Sequence, residues 1–210
     1  MPVHALPLAA APRPPPRPYG GLDARLTYGA EEAIYLEGDE ARFIYVLLSG
    51  AVRTLRHSLE GRRQIGDFYY PGDLFGLEPG AGHRFSAEAL CPSQVIALGR
   101  GALGPRLHQH ALTQAALREL ARTQDHLAML GRRTAREKIA SFLLEVAARN
   151  GAAPPALLMS RQDIADYLGL AIETVSRALG QFQDDGWLAF SSCRSFHILK
   201  PSAMQRLAAR

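Results

Sequence analysis

The stretch Met159-Ser160-Arg161-Gln162-Asp163-Ile164-Ala165-Asp166-Tyr167-Leu168-Gly169-Leu170-Ala171-Ile172-Glu173-Thr174-Val175-Ser176-Arg177-Ala178-Leu179-Gly180-Gln181-Phe182-Gln183-Asp184-Asp185-Gly186-Trp187 decides how this chain reads. Ser160 is a helix N-cap residue, and Asp163, three positions on, places a carboxylate at the positive helix end. Ile164 and Leu168 share one face at i, i+4 spacing. Ala165 is small where two helices must cross closely, and Gly169 permits a positive-φ turn. Leu170, Ile172, Val175 and Leu179 then supply the apolar stripe of a second helix. Glu173, Thr174, Ser176, Arg177 and Gln181 are left pointing away from the core. The spacing predicts a helix-turn-helix.

The outward stripe has chemistry suited to a base-pair edge. Arg177 can donate a bidentate pair to guanine O6 and N7, Glu173 can accept from cytosine N4, and Ser176 can bond a base or a phosphate. A surface helix can carry Glu, Ser and Arg without reading anything. Here the small Ala165, the turn Gly169 and the apolar spacing coincide with them, which favours the reading of a DNA major groove.

Composition agrees. The 210 residues are 47% hydrophobic, enough for one or two domains with a sizeable core and no run long enough to span a membrane. A formal charge of +4 and a pI near 9.3 suit an anionic partner. The two cysteines, Cys91 and Cys193, lack metal-site spacing, and the proline-broken N-terminus has no signal-peptide core. Free thiols and a cytoplasmic location are expected.

Residues 1–20, with Pro12, Pro14, Pro15, Pro16 and Pro18, are read as a disordered tail. Residues 21–104 show short apolar segments about every ten residues, broken by Gly38, Gly50, Gly61 and Pro71-Gly72, which indicates a small antiparallel barrel or roll. Residues 105–133 turn helical. Leu117, Leu120, Gln124 and Leu127 keep a 3-4-3 spacing that fits a dimer seam. The same residues fit a helix packed on its own β-domain, since Leu112 and Leu130 widen the apolar face. Residues 134–210 begin at the capping box Thr134-Ala135-Arg136-Glu137. They continue through the helix-turn-helix to strand, turn and strand over 186–199, which is a wing. The fold class is therefore α+β: an N-terminal β-roll, a long helix and a C-terminal winged helix-turn-helix.

The string Tyr167-Leu168-Gly169-Leu170-Ala171-Ile172-Glu173-Thr174-Val175-Ser176-Arg177 resembles the recognition segment of the CRP/FNR family of bacterial transcription regulators. The first half is similar to that family's sensor domain through Leu36-Glu37-Gly38-Asp39, Leu48-Ser49-Gly50-Ala51-Val52-Arg53 and Pro71-Gly72-Asp73-Leu74-Phe75-Gly76-Leu77-Glu78. His83-Arg84-Phe85-Ser86-Ala87-Glu88-Ala89 is closest to the FixK-type branch. The resemblance covers roughly residues 25 to 205. It implies a homodimer that reads TTGAT-type half-sites through Glu173, Ser176 and Arg177, binds no effector, meets RNA polymerase, and activates low-oxygen or nitrogen-fixation genes. Double-stranded DNA is the partner, with a symmetric dimer on an inverted repeat. Arg161, Thr174, Gln181, Arg194 and Lys200 are the candidates for backbone contacts, which position without specifying sequence. Where relatives carry Thr or Ser, this chain has Ala171, so the recognition helix is expected to lack its side-chain cap.

The sensor half is where relatives diverge. Pro79 stands where a phosphate-binding helical turn would begin, and Phe85 separates Arg84 from Ser86. The donors that a cyclic phosphate needs are thereby scattered. Two cysteines cannot supply the four ligands of an iron–sulfur cluster. Haem would draw on His4, His83 or His110, each of which has the plainer reading of an ordinary polar side chain, so no cofactor and no metal are expected. Cys193, beside Arg194 in the wing turn, is either a redox-sensitive thiol or an inert one. No enzymatic constellation emerges, and Asp163, Asp166, Asp184 and Asp185 read as solvated or helix-end charges. Replacing Arg177 with Ala is expected to cost about 1–3 kcal/mol on the cognate site and to relax preference at its guanine. Equal losses on cognate and scrambled DNA, measured by gel shift, would remove the base-reading role.

Overall fold

The computed structural model describes residues 24–100, 107–149, 155–192 and 195–209. The proline-rich segment 1–20, with His4, lies outside them, as do Cys193 and Arg194. Eight strands come first: β1 (Ala24–Tyr28), β2 (Ala33–Tyr35), β3 (Phe43–Ser49), β4 (Val52–His57), β5 (Arg63–Tyr69), β6 (Leu74–Phe75), β7 (Ser86–Ala89) and β8 (Ser93–Gly99). They form two four-stranded sheets, ordered β1-β8-β3-β6 and β2-β7-β4-β5, with antiparallel neighbours throughout. Alternate residues meet between the sheets, where Tyr35, Tyr45, Leu47, Val52, Tyr69, Phe75 and Val95 pack as one cluster. This is the antiparallel roll that the turn-punctuated sequence implies.

Helix α1 (Leu107–Leu130) follows, then α2 (Ala135–Arg149), α3 (Arg161–Leu168), α4 (Ile172–Asp184), β9 (Leu188–Ser192), β10 (Ser195–Ile198) and α5 (Pro201–Ala208). The box at the start of α2 closes both ways: the Glu137 amide donates to Thr134 Oγ1 at 3.2 Å and the Thr134 amide to Glu137 Oε2 at 3.3 Å. Helix α5 is absent from the sequence reading. Pro201 opens it at a position where a missing N–H costs nothing, and it buries Met204 and Ala208.

Helix α1 has two faces of different chemistry. Ala115 and Met129 are buried, and Glu119, Arg122 and His126 lie on the same stripe at 3- and 4-residue steps. That stripe is tied to the rest of the chain. Tyr69 donates its hydroxyl to Glu119 at 3.0 Å, Arg122 pairs with Asp67, Asp73 and Glu119, and His126 stacks on Tyr167 with ring centroids 3.8 Å apart. Leu117, Leu120 and Leu127 point away from it, 53%, 54% and 63% exposed, with Gln124 exposed among them. The leucine seam therefore does not pack on its own β-roll.

The β-roll and the helical half share a core. Ala51, Leu55, Ile65, Phe68, Tyr70 and Leu90 belong to the same buried cluster as Met129, Ile139, Phe142, Ile164 and Leu168. At its centre the rings of Phe68, Phe142 and Tyr167 lie within 5.1 to 6.1 Å of one another. Above the rings runs a buried charge network. Arg53, on β4, places Nη1 3.1 and 3.2 Å from the two oxygens of Asp163 on α3, and it also pairs with Glu31 and Glu88. Arg63, on β5, reaches Asp163 at 2.8 Å and Asp166 at 2.7 Å. Asp163 is 1% exposed. Asp163 sits at the helix end that its sequence position implies, and the two arginines bury it there.

His126 gives the packed state a pH dependence. Its Nε2 lies 2.8 Å from the Tyr167 carbonyl, which can only accept, so Nε2 carries a proton. Burial lowers its pKa below 6.5 and outweighs the opposing pull of the Tyr167 carbonyl and Glu145. The folded chain thus binds this proton less readily than the unfolded chain. Its contribution is complete above pH 6.5 and is lost as pH falls below it. Burial acts the same way on His83. The thermal midpoint should drop between about pH 7.5 and about pH 5.5, and drop less in His126→Gln, which keeps a donor but does not titrate. Identical pH profiles for the two proteins would contradict this role.

Candidate DNA-reading surface

The first helix of the pair is built as the spacing demands. Ser160 takes extended angles (φ −71°, ψ 163°) and accepts the Asp163 amide at 3.0 Å, while the Asp163 carboxylate accepts the Ser160 amide at 2.9 Å. Two orphan donors are satisfied reciprocally. At the other end Gly169 adopts φ 62°, the left-handed conformation that turns α3 into α4 and that a side chain would disfavour. Asp163 thus serves both the cap and the ion pairs to Arg53 and Arg63.

Helix α4 buries Val175, Ala178, Leu179 and Phe182. Ile172, which the sequence reading assigned to that stripe, is instead 37% exposed. It sits in the first turn, about 70° of helix rotation from the centre of the buried face, on the border with the polar side. Ala171 is the N-cap with extended angles and no side-chain bond to the helix.

The candidate readers fall on the opposite side. Glu173 and Arg177 are exposed, and Ser176 is half-buried between them. Arg177 donates Nε to the Glu173 carbonyl at 3.4 Å. Among the described residues neither it nor Glu173 has an ion-pair partner, so both charged ends are available. Of the backbone candidates, Arg161 is exposed at the start of α3 and Thr174 is half-buried. Lys200 Nζ donates to the Asp185 carbonyl at 3.3 Å, and Gln181 accepts from Arg136 at 3.5 Å. Arg194 lies outside the described residues. The sequence reading missed Arg136, which braces the C-terminal half of α4. It stacks over Phe182 and Trp187, 4.8 and 5.6 Å from the ring centres, and pairs with Asp185 at 2.6 Å. Strands β9 and β10 pair antiparallel beside this helix.

A second feature belongs to the β-roll. A cavity of about 350 Å³ opens between the sheets and α1, lined by Arg56, Asp67, Glu78, Arg84, Glu119 and Thr123 among others. Glu78 holds Arg84, with Nε at 3.4 Å and the backbone amide at 3.2 Å. The wall thus carries three carboxylates against two guanidinium groups. Among the described residues no group of His, Cys, Asp and Glu is arranged to hold a metal ion, and no helix is long and apolar enough to cross a membrane.

One local defect is measurable. Ala171→Ser supplies the missing oxygen for the amides of the first turn and should stabilise the fold by about 1 kcal/mol, read as a rise in thermal midpoint. An unchanged midpoint would show that α4 does not need the cap.

Comparison with known proteins converges on one family. Residues 137–207 match the Crp-like helix-turn-helix domain, and residues 25–110 match the cyclic nucleotide-binding domain. The nitrogen fixation regulation protein FixK of Rhizobium meliloti is 40% identical over 193 residues, covering 91% of this chain and 90% of its own. The fumarate and nitrate reduction regulatory protein of Escherichia coli is 34% identical over 171 residues, covering 75% of this chain and 68% of its own. The structure of FixK2 from Bradyrhizobium japonicum superposes with a TM-score of 0.84 at 40% identity, covering 90% of this chain and 98% of that one. The chain belongs to the CRP/FNR family and is a DNA-binding transcription regulator, not an enzyme.

Proposed function

We propose that the chain works as a cytoplasmic homodimer whose paired α4 helices read TTGAT-type half-sites of an inverted repeat, without a bound effector. The observation that carries this is the stripe of Glu173, Ser176 and Arg177, without an ion-pair partner among the described residues, on a helix whose other side is locked into the core. Arg177 suits guanine and Glu173 suits cytosine, while the exposed Ile172 offers an apolar surface to thymine methyl groups. Arg161, Thr174, Gln181, Arg194 and Lys200 would contact the backbone. The functional analogy is with FixK, a nitrogen fixation regulator, so activation of nitrogen-fixation or low-oxygen genes together with RNA polymerase is the physiological reading.

Division of the chain at 21–104, 105–133 and 134–210 separates sensing, dimerisation and DNA reading. The exposed leucines of α1 supply the seam between subunits, with Gln124 as a single polar position setting register. Effector independence draws support from two features. The ion pairs of Arg53 and Arg63 already hold α3 on the β-roll. The cavity, with Arg84 engaged by Glu78, is poorly equipped for a cyclic phosphate. The same cavity is the one observation in favour of an effector-dependent sensor. Cys193, between β9 and β10 in sequence, is the candidate for redox control.

The seam and the symmetry are tested together. Leu120→Glu places two carboxylates in the apolar seam, so sedimentation should show a monomer, and affinity for the inverted repeat should fall to that for a duplex with one half-site scrambled. A Leu120→Glu protein that stays dimeric, or wild-type protein that binds one half-site as tightly as two, would overturn this reading.

A further inference from the structure

Gly180 lies inside α4, with no positive φ to require it. In a helix interior, glycine is among the most destabilising residues short of proline, so its presence needs a cause. Packing within the chain supplies none. A Cβ at Gly180 would meet nothing within 4 Å. Gly66 is a useful contrast: a Cβ there would come within 2.8 Å of Thr54 Oγ1 and 3.0 Å of Phe85. At Gly66 the fold explains the glycine; at Gly180 it does not.

Position supplies the cause. Gly180 follows Glu173 by seven residues, Ser176 by four and Arg177 by three, so it continues their stripe one turn further along the helix. The buried residues Val175, Ala178, Leu179 and Phe182 occupy the other side. An α-helix with its side chains is roughly 10–12 Å across, and the major groove is roughly 12 Å wide. A helix lying in that groove has no spare room along its inward stripe. Each position there either contacts the DNA or has to be empty.

We propose that Gly180 is a positioning residue for DNA reading. Its missing side chain lets the second half of α4 approach the groove wall closely, and this sets the depth at which Glu173, Ser176 and Arg177 meet the base edges. The inference rests on α4 being the recognition helix. It adds that the chain gives up helix stability at Gly180 for seating depth, so stability and affinity must move in opposite directions when a methyl group is restored.

The test uses the full chain and the duplex that wild-type protein enriches from a randomised pool, compared with a scrambled duplex of equal length. Gly180→Ala should raise the thermal midpoint by roughly 2–4 °C. It should also weaken binding to the enriched duplex about tenfold, equivalent to loosening one base-reading pair, with little change on the scrambled duplex. Gly180→Leu should weaken specific binding further. An Ala variant that is more stable and binds the enriched duplex as wild type does would overturn the inference, as would equal losses on both duplexes. Wild-type protein that enriches no sequence at all would overturn the reading of α4 itself, and this inference with it.

Discussion

The buried carboxylate of Asp163 is the constraint on which the arrangement depends. It closes the cap of α3 with Ser160 and receives Arg53 and Arg63 from the β-roll. Such a cluster is a poor source of net stability, because desolvating the ions offsets much of their attraction. Removing one member is another matter. It strands charge in the interior and costs about 3–5 kcal/mol. The network therefore acts as a specifier: the β-roll and α3 can meet in the orientation that pairs every charge, and mismatched orientations leave one unpaired. The Phe68, Phe142 and Tyr167 rings supply the apolar burial beneath it.

Helix α1 divides its labour in the same way. One stripe, through Glu119, Arg122 and His126, is spent on the chain's own β-roll and on α3. The leucine stripe faces away from these contacts and stays exposed. His126 touches α3 directly through Tyr167, so the helix that would join two subunits also abuts the reading head. Helix α1, the β-roll and the α3–α4 pair are thus linked through packed contacts.

Much of this was legible in the sequence where the determinants are local. Ser160 with Asp163, Thr134 with Glu137, and Gly169 each act within a few residues, and turn glycines punctuate the β-roll at regular intervals. What escaped the sequence depends on distant partners. Asp163 resembles any first-turn carboxylate until Arg53, 110 residues away, is seen beside it. The packed face of α1 is polar, so hydrophobic spacing pointed to the leucines and passed over Glu119, Arg122 and His126. Ile172 was placed inside because period alone cannot settle a residue at the edge of a stripe. Helix α5 is short, and its Pro201 reads as a breaker as readily as a start. Arg136 braces α4 through rings that lie 46 and 51 residues on.

The most direct measurement is the affinity of extensively dialysed wild-type protein for its selected operator, beside that of Arg53→Met, with no small molecule added. If the buried network holds the reading head in place, wild-type protein binds without any ligand. Arg53→Met, altered outside the reading stripe, should bind more weakly while remaining folded. Wild-type protein that binds only after a metabolite is supplied, or an Arg53→Met protein with undiminished affinity, would contradict it.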